Sequence, residues 1–237
     1  MGAAGSPTSD RTSYDFDGAL DYLWAADHTD WAYGTGNFRM EAWLRFDTFA
    51  GQWQYLFTQR ESGSNMWYTM KDNADKLGMV FINSGSTIVG DYIMTNAWSG
   101  STGVWYHVAF VRNGTTGLIF IDGVSQTLTE NTAFSTNSLN DMTASLLFGE
   151  RIDGGGAEFD GRADELRISD TARETSNFTP SDSEFESDAN TLLLIHGGET
   201  IVSGTTGSGA TFVDSGNTGH TITENNGATR DTAIYKL

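Results

Sequence analysis

The stretch Phe38-Arg39-Met40-Glu41-Ala42-Trp43-Leu44-Arg45-Phe46 sets Phe38, Met40, Ala42, Leu44 and Phe46 against Arg39, Glu41, Trp43 and Arg45. An apolar side chain at every second position is the period of a β-strand with one buried face, because successive side chains of an extended chain point to opposite sides. A helix would scatter these residues around its circumference and is excluded here. Trp43 falls in the second set, so it is expected to face away from the core.

Outward from this strand, the same reading predicts strands over residues 14–17, 55–59, 66–71, 77–82, 104–112, 118–121, 146–149 and 166–168. Turn signals fall between them, most clearly Asp122-Gly123 after Gly117-Leu118-Ile119-Phe120-Ile121, where glycine supplies the positive φ of a tight hairpin. Many short strands without a long amphipathic helical stretch select an all-β, antiparallel two-sheet sandwich or jelly roll. Only residues 170–177 read as a short helix. Residues 179–189 are polar and acidic around Pro180 and read as a linker or surface loop. They separate a body at 13–178 from a C-terminal piece at 190–237, with residues 1–12 as a Gly/Ala/Ser-containing arm.

The chain has 237 residues, with 13 basic against 31 acidic side chains and a formal charge of −18. Such an excess repels phosphate backbones and anionic lipid, so neither nucleic acid nor a membrane surface is an expected partner. With Cys at 0, no disulfide framework and no thiol nucleophile exist. No apolar run approaches the roughly 20 residues of a membrane helix. The first residues have neither the charged nor the apolar region of a secretory signal, so the expectation is either a signal already removed or a protein made and assembled in a cytoplasm.

Five collinear stretches resemble the laminin-G-like, concanavalin A-like jelly-roll family. They are residues 14–23 (YDFDGALDYL), 34–44 (GTGNFRMEAWL), 105–112 (WYHVAFVR), 119–123 (IFIDG) and 159–168 (FDGRADELRI). Residues 190–198, 211–215, 219–223 and 231–237 look like the segment that ordinarily precedes the first of these motifs, and here they come last. Two histories fit: a circular permutant whose ends lie side by side, or a cut from a tandem array as a second repeat begins. The permutant is favoured, because strands left without partners expose aggregation-prone edges.

Catalysis finds no constellation in the sequence. Retaining glycosidases need two carboxylates roughly 5–5.5 Å apart; Glu184 and Glu186 lie in the expected loop, and the neighbours Asp164 and Glu165 are expected to face opposite ways along a strand. His28, His107, His196 and His220 show no metal-ligand spacing. The resemblance implies calcium, with Asp17 and Asp164 as candidate ligands, although Asp17 also suits the Asp17-Gly18 turn and Asp164 a bulge hydrogen bond.

Binding is better supported. Sugars stack apolar faces on aromatic rings, and Trp53, Trp67, Tyr92 and Trp98 lie beside loop signals as candidate platforms, as well as candidates for packing under those loops. Asp153 and Glu158, flanking Gly154-Gly155-Gly156-Ala157, are candidate polar contacts. The resemblance extends in style to repeats of bacteriophage structural proteins. The expectation is therefore a noncatalytic virion-surface protein, a capsid decoration or fibre module, that adheres to cell-surface glycans and docks to other virion proteins through residues 1–12. A homo-oligomer would suit a symmetric particle. A secreted bacterial carbohydrate-binding or adhesion module and a polysaccharide-degrading enzyme are the alternatives.

Overall fold

The alternation at residues 38–46 becomes strand β3 (Phe38–Phe46), whose Phe38, Met40, Ala42, Leu44 and Phe46 all enter the hydrophobic core. The computed structural model describes residues 12–134, 138–151, 157–198, 201–203, 210–231 and 236. These form two antiparallel sheets facing each other across that core. The first runs β10 (Val124–Ser125), β9 (Thr116–Ile121), β8 (Trp105–Asn113), β3, β13 (Asp160–Ser169), β1 (Ser13–Asp17), β18 (Thr229–Asp231), with β14 (Thr191–Ile195) also on β13. The second runs β11 (Leu128–Thr132), β7 (Thr87–Met94), β6 (Leu77–Asn83), β5 (Asn65–Lys71), β4 (Gln54–Ser62), β12 (Leu146–Phe148), β2 (Tyr22–Ala25), β17 (Ile222–Asn225), β16 (Thr211–Phe212), β15 (Ile201–Ser203). The expected all-β jelly-roll sandwich is the observed architecture.

Strand β3 departs from the expectation of one buried face. Arg39, Glu41 and Trp43 are buried as well, because residues 170–186 lie across the outer surface of the first sheet. Phe178 and Ala172 pack on Ala109, Val111 and Phe120, and Phe185 packs on Trp43 and Leu194. The segment expected to be a polar linker is thus pinned by Phe185, and Phe178 anchors the chain just before it. The short helix expected at 170–177 does not form: Arg173 adopts φ 51° and spends its guanidinium on Ser169 and, through both terminal nitrogens at 2.8 Å, on Asp188. Beneath this strap Glu41 receives Arg39 at 2.8 Å, Arg167 at 2.6 Å and His107 at 3.0 Å. Burial opposes ionisation of Glu41, yet Arg39, the His107 hydrogen bond and Arg167 together hold its carboxyl far below the usual range.

Strand β13 carries a bulge. Asp164 pairs with Trp43 and Arg167 with Glu41, so Glu165 and Leu166 together oppose Ala42, with Glu165 at φ 53°. The extra residue restores phase: Ala163 and Leu166 both enter the core, while Asp164 and Glu165 both turn outward. The two neighbours do not face opposite ways, because alternation holds only between bulges.

The C-terminal piece is woven into the same sheets. β14 pairs with β13, β17 with β2 and β18 with β1. Leu193, Ile195, Phe212 and Ile222 share the core with Tyr14 and Phe16, and the rings of Tyr14 and Phe212 meet edge-on at 5.2 Å. The substitution Phe212→Ala is therefore expected to lower the unfolding free energy by about 3–5 kcal/mol, as an excavation of a shared core does. Denaturant titration measures this, and a loss below about 1 kcal/mol would mean that the segment packs as a separate body.

Candidate functional site

Strand β1 ends at Asp17, where Gly18 takes φ 73° and the chain turns into β2. The turn is tied by Asp17 Oδ1 accepting from Ala19 N at 2.8 Å and Asp21 Oδ2 accepting from Asp17 N at 3.0 Å. Beside it, the loop entering β4 places Trp53 with its side chain 41% exposed. The register of β1 on β13 sets Asp160 directly opposite Asp17. Together these elements enclose an open cleft of about 220 Å³ walled by Asp17, Thr48, Gln52, Trp53, Glu158 and Asp160, with Gly18 and Gln54 at its base.

The cleft is braced from beneath. Gln54 is buried, donates from Nε2 to Thr48 O at 2.7 Å and accepts at Oε1 from Asp160 N at 3.3 Å. Lys71, fully buried, donates to Gln52 O at 3.2 Å and to Asp75 Oδ1 at 2.6 Å, and the same Asp75 oxygen accepts from Gly51 N at 3.0 Å. The loop that presents Trp53 is thereby tethered to the β5–β6 turn by charged hydrogen bonds. Trp53 itself stacks on no other ring among the described residues, and of the seven Trp it is the one with an exposed side chain.

Three of the residues expected to make a site, Asp17, Trp53 and Glu158, therefore meet in one place. The others do not join them. Trp67 is 2% exposed, stacks on Phe81 and donates Nε1–H to Gln59 Oε1 at 3.0 Å. Tyr92 is also core, its hydroxyl donating to Thr115 O and accepting from Phe134 N, both at 2.9 Å. Both occupy inward positions of central strands, which their neighbouring turn residues did not disclose. Trp98 is half-buried edge-on against Phe46, Phe49 and Tyr106. Asp153 lies outside the described residues. The residues missed by sequence reading, Thr48, Gln52, Gln54 and Asp160, are brought in by loop closure and strand register. Gln52-Trp53-Gln54, a ring between two amides, was the signal available.

Asp164 is not a partner of Asp17. It sits on the outer face, where its carboxyl accepts from Gly197 N and Glu165 N, each at 2.9 Å. Burial pushes its pKa up to about 6, the Gly197 amide opposes this and the nearby Glu165 carboxylate adds to it. Glu165, equally buried, accepts from Phe185 N at 2.5 Å and meets His196 Nδ1 at 2.6 Å. These carboxylates hold the bulge and the strap in place. Between the sheets, the space bounded by Leu23, Phe57, Leu166 and Ile222 amounts to only about 10 Å³ and is core packing, not a ligand site.

Residues 9–177 match the family model of the concanavalin A-like lectin/glucanases superfamily, and the chain belongs to that superfamily. No curated protein matches it. Among solved structures, a protein from Bacteroides ovatus proposed to bind carbohydrate superposes with TM-score 0.62 at 18% identity, over 96% of this chain and 61% of its own. This chain thus spans less than two thirds of that relative. Domain 4 of AbnA, an extracellular GH43 arabinanase of Geobacillus stearothermophilus, in complex with arabinotriose, superposes with TM-score 0.50 at 19% identity over 68% of this chain and 71% of its own. The CBM40 of the Ruminococcus gnavus IT-sialidase does so with TM-score 0.50 at 13% identity over 69% and 92%. These likenesses establish a shared fold, and the first extends it through the C-terminal strands beyond the family match.

A pH dependence follows from Asp164. Its carboxyl keeps a proton to about 6 in the folded chain against 3.8 as the reference value. The folded state then binds more protons than the unfolded one in this window, so stability falls as pH rises through it and stays lower above. Asp164→Asn keeps an oxygen for both amides and removes the titration. The wild type minus Asp164→Asn difference in unfolding free energy is expected to fall by roughly 1–3 kcal/mol between these pH values. A flat difference in chemical denaturation would show that Asp164 is not protonated there.

Proposed function

We propose that this member of the concanavalin A-like lectin/glucanases superfamily is a noncatalytic carbohydrate-binding module whose sugar site is the cleft at Trp53. The observation that carries the proposal is an exposed indole set in a cleft beside Asp17, Glu158 and Asp160 and the loop of Gln52. An indole face receives the C–H face of a pyranose or furanose, and carboxylates and amides take the flanking hydroxyls. The Lys71–Asp75 tether keeps the loop ordered before a sugar arrives, which reduces the entropy lost on binding.

The proposal is noncatalytic because the three buried acids on the outer face of β3 and β13 are already committed. Glu41 is locked among Arg39, Arg167 and His107, and Asp164 and Glu165 are held by backbone amides. Calcium enters as the arm tested by a chelator, since Asp17, Glu158 and Asp160 offer hard oxygen atoms at the cleft rim. The carrier we favour is a virion surface, supported by the acidic, cysteine-free sequence and its family style; a secreted bacterial protein is the other carrier. The docking arm at residues 1–12 falls almost wholly outside the described residues. Its deletion is expected to leave a folded domain that no longer joins the particle, and continued incorporation would refute that role.

The deciding measurement is a glycan array with purified protein, in calcium and again in chelator, followed by titration calorimetry on the best oligosaccharide. Trp53→Ala is expected to weaken binding at least about tenfold while leaving stability within about 0.5 kcal/mol. Unchanged affinity in that variant would remove the cleft from the proposal, and a blank array with the wild type would remove glycans from it.

A further inference from the structure

Two histidines far apart in sequence meet on one aspartate. His28 precedes the 3₁₀ turn Thr29–Trp31, and its Nδ1 lies 3.2 Å from Asp30 Oδ1. His220 arrives from just before β17, with Nε2 at 2.9 Å from Asp30 Oδ2. The two imidazoles meet edge-on with centroids 4.8 Å apart, and His220 also packs on Trp31 at 4.6 Å. The pairing of Ile222 with Ala25, at the adjoining ends of β17 and β2, makes the encounter: it brings residues 190 positions apart to the same sheet corner.

His28 turns Nδ1 toward Asp30. Its Nδ1 accepts from Asp30 N at 3.2 Å and so presents a lone pair on that side. The same nitrogen faces Asp30 Oδ1, also an acceptor, at 3.2 Å. A cation placed beside both atoms would be shared by them. Asp30 is otherwise well prepared: Oδ2 accepts from Thr218 Oγ1 at 2.5 Å, which orients the carboxylate toward both rings.

We propose that His28, Asp30 and His220 form a site for a divalent transition-metal ion of the zinc class. One ligand atom from each lies within 4.8 Å of the others. Tetrahedral zinc, with bonds of about 2.0–2.1 Å, sets its ligand atoms roughly 3.4 Å apart, so the cluster closes on the ion by side-chain adjustments on the order of an ångström. Imidazole nitrogen with one carboxylate suits zinc, cobalt, nickel or copper and does not suit calcium, which takes oxygen alone. On binding, His220 Nε2 gives up the proton it shares with Asp30, to Nδ1 of a neutral ring or to solvent from an imidazolium, and turns its lone pair to the ion. Three protein ligands leave a fourth position for water or an incoming donor. None of these residues belongs to the Trp53 cleft, so this site and the sugar site stand or fall separately. Its structural effect is a clamp: the ion joins the corner after β2 to the C-terminal segment that enters β17.

The test uses the whole chain, stripped with chelator and dialysed. Zinc titrated by calorimetry is expected to bind at one equivalent, cobalt to give the intense visible bands of a low-coordinate nitrogen and oxygen site, and calcium to give neither. Zinc at about a hundredfold excess over Kd should raise Tm by roughly 5–10 °C. His28→Gln and His220→Gln are each expected to lose at least about tenfold in affinity, whereas His196→Gln retains it. Because the wild type is itself titrated, a variant that folds poorly does not decide the matter. Absence of zinc binding by the wild type overturns the proposal, as does full binding by a folded His28→Gln, His220→Gln double variant.

Discussion

Strand β13 must satisfy backbone groups along both edges over ten residues, and the rest of the molecule is arranged around how it does so. One edge pairs with β3 throughout; the other is shared end to end, β1 along residues 160–163 and β14 along 166–169. An unpaired buried amide or carbonyl costs as much as a lost hydrogen bond. The start of the described chain and its C-terminal segment are therefore both required to complete one strand. The bulge at Glu165 and Leu166 falls where the pairing passes from β1 to β14, and it lets the core-facing phase continue across the junction.

The same bulge explains the outer face. By turning both Asp164 and Glu165 outward, it supplies acceptors for Gly197 N and Phe185 N, the two points at which the C-terminal segment and the strap reach the sheet. Beneath the strap Arg39, Arg167 and His107 converge on Glu41. Removing one partner from such a group leaves a buried charge uncompensated, typically at several kcal/mol. The outer face is thus a second layer held by ion pairs and two phenylalanines, with an open pocket of about 390 Å³ between the strap and Arg39, Glu41, His107 and Arg167.

The two proposed sites lie at the ends of strands. The Trp53 cleft forms where β1 ends and β13 begins beside the loop into β4, so that Asp17 and Asp160 face one another across an antiparallel register. The His28, Asp30 and His220 corner forms where β2 ends beside the start of β17. Strand ends leave side chains free of the alternation that commits mid-strand residues to core or strap. That is why Trp67 and Tyr92, each within a strand, became core while Trp53 stayed exposed.

By itself the sequence determined the local pattern: period-2 strands, glycine turns, an acidic surface and, through five collinear motifs, the jelly-roll class. It also marked Trp53, Asp17 and Glu158, since a ring beside a glycine loop and acids beside turns are local signals. It misjudged residues 170–189, because a segment with two spaced phenylalanines among charges has no period of its own and its burial depends on the sheet it covers. It could not pair Asp17 with Asp160, His28 with His220 or Asp164 with Gly197, because strand register and bulges bring together residues that share no spacing along the chain. Only the tertiary structure decided those, since contacts between strands are fixed by which edges remain to be paired after the core has been buried.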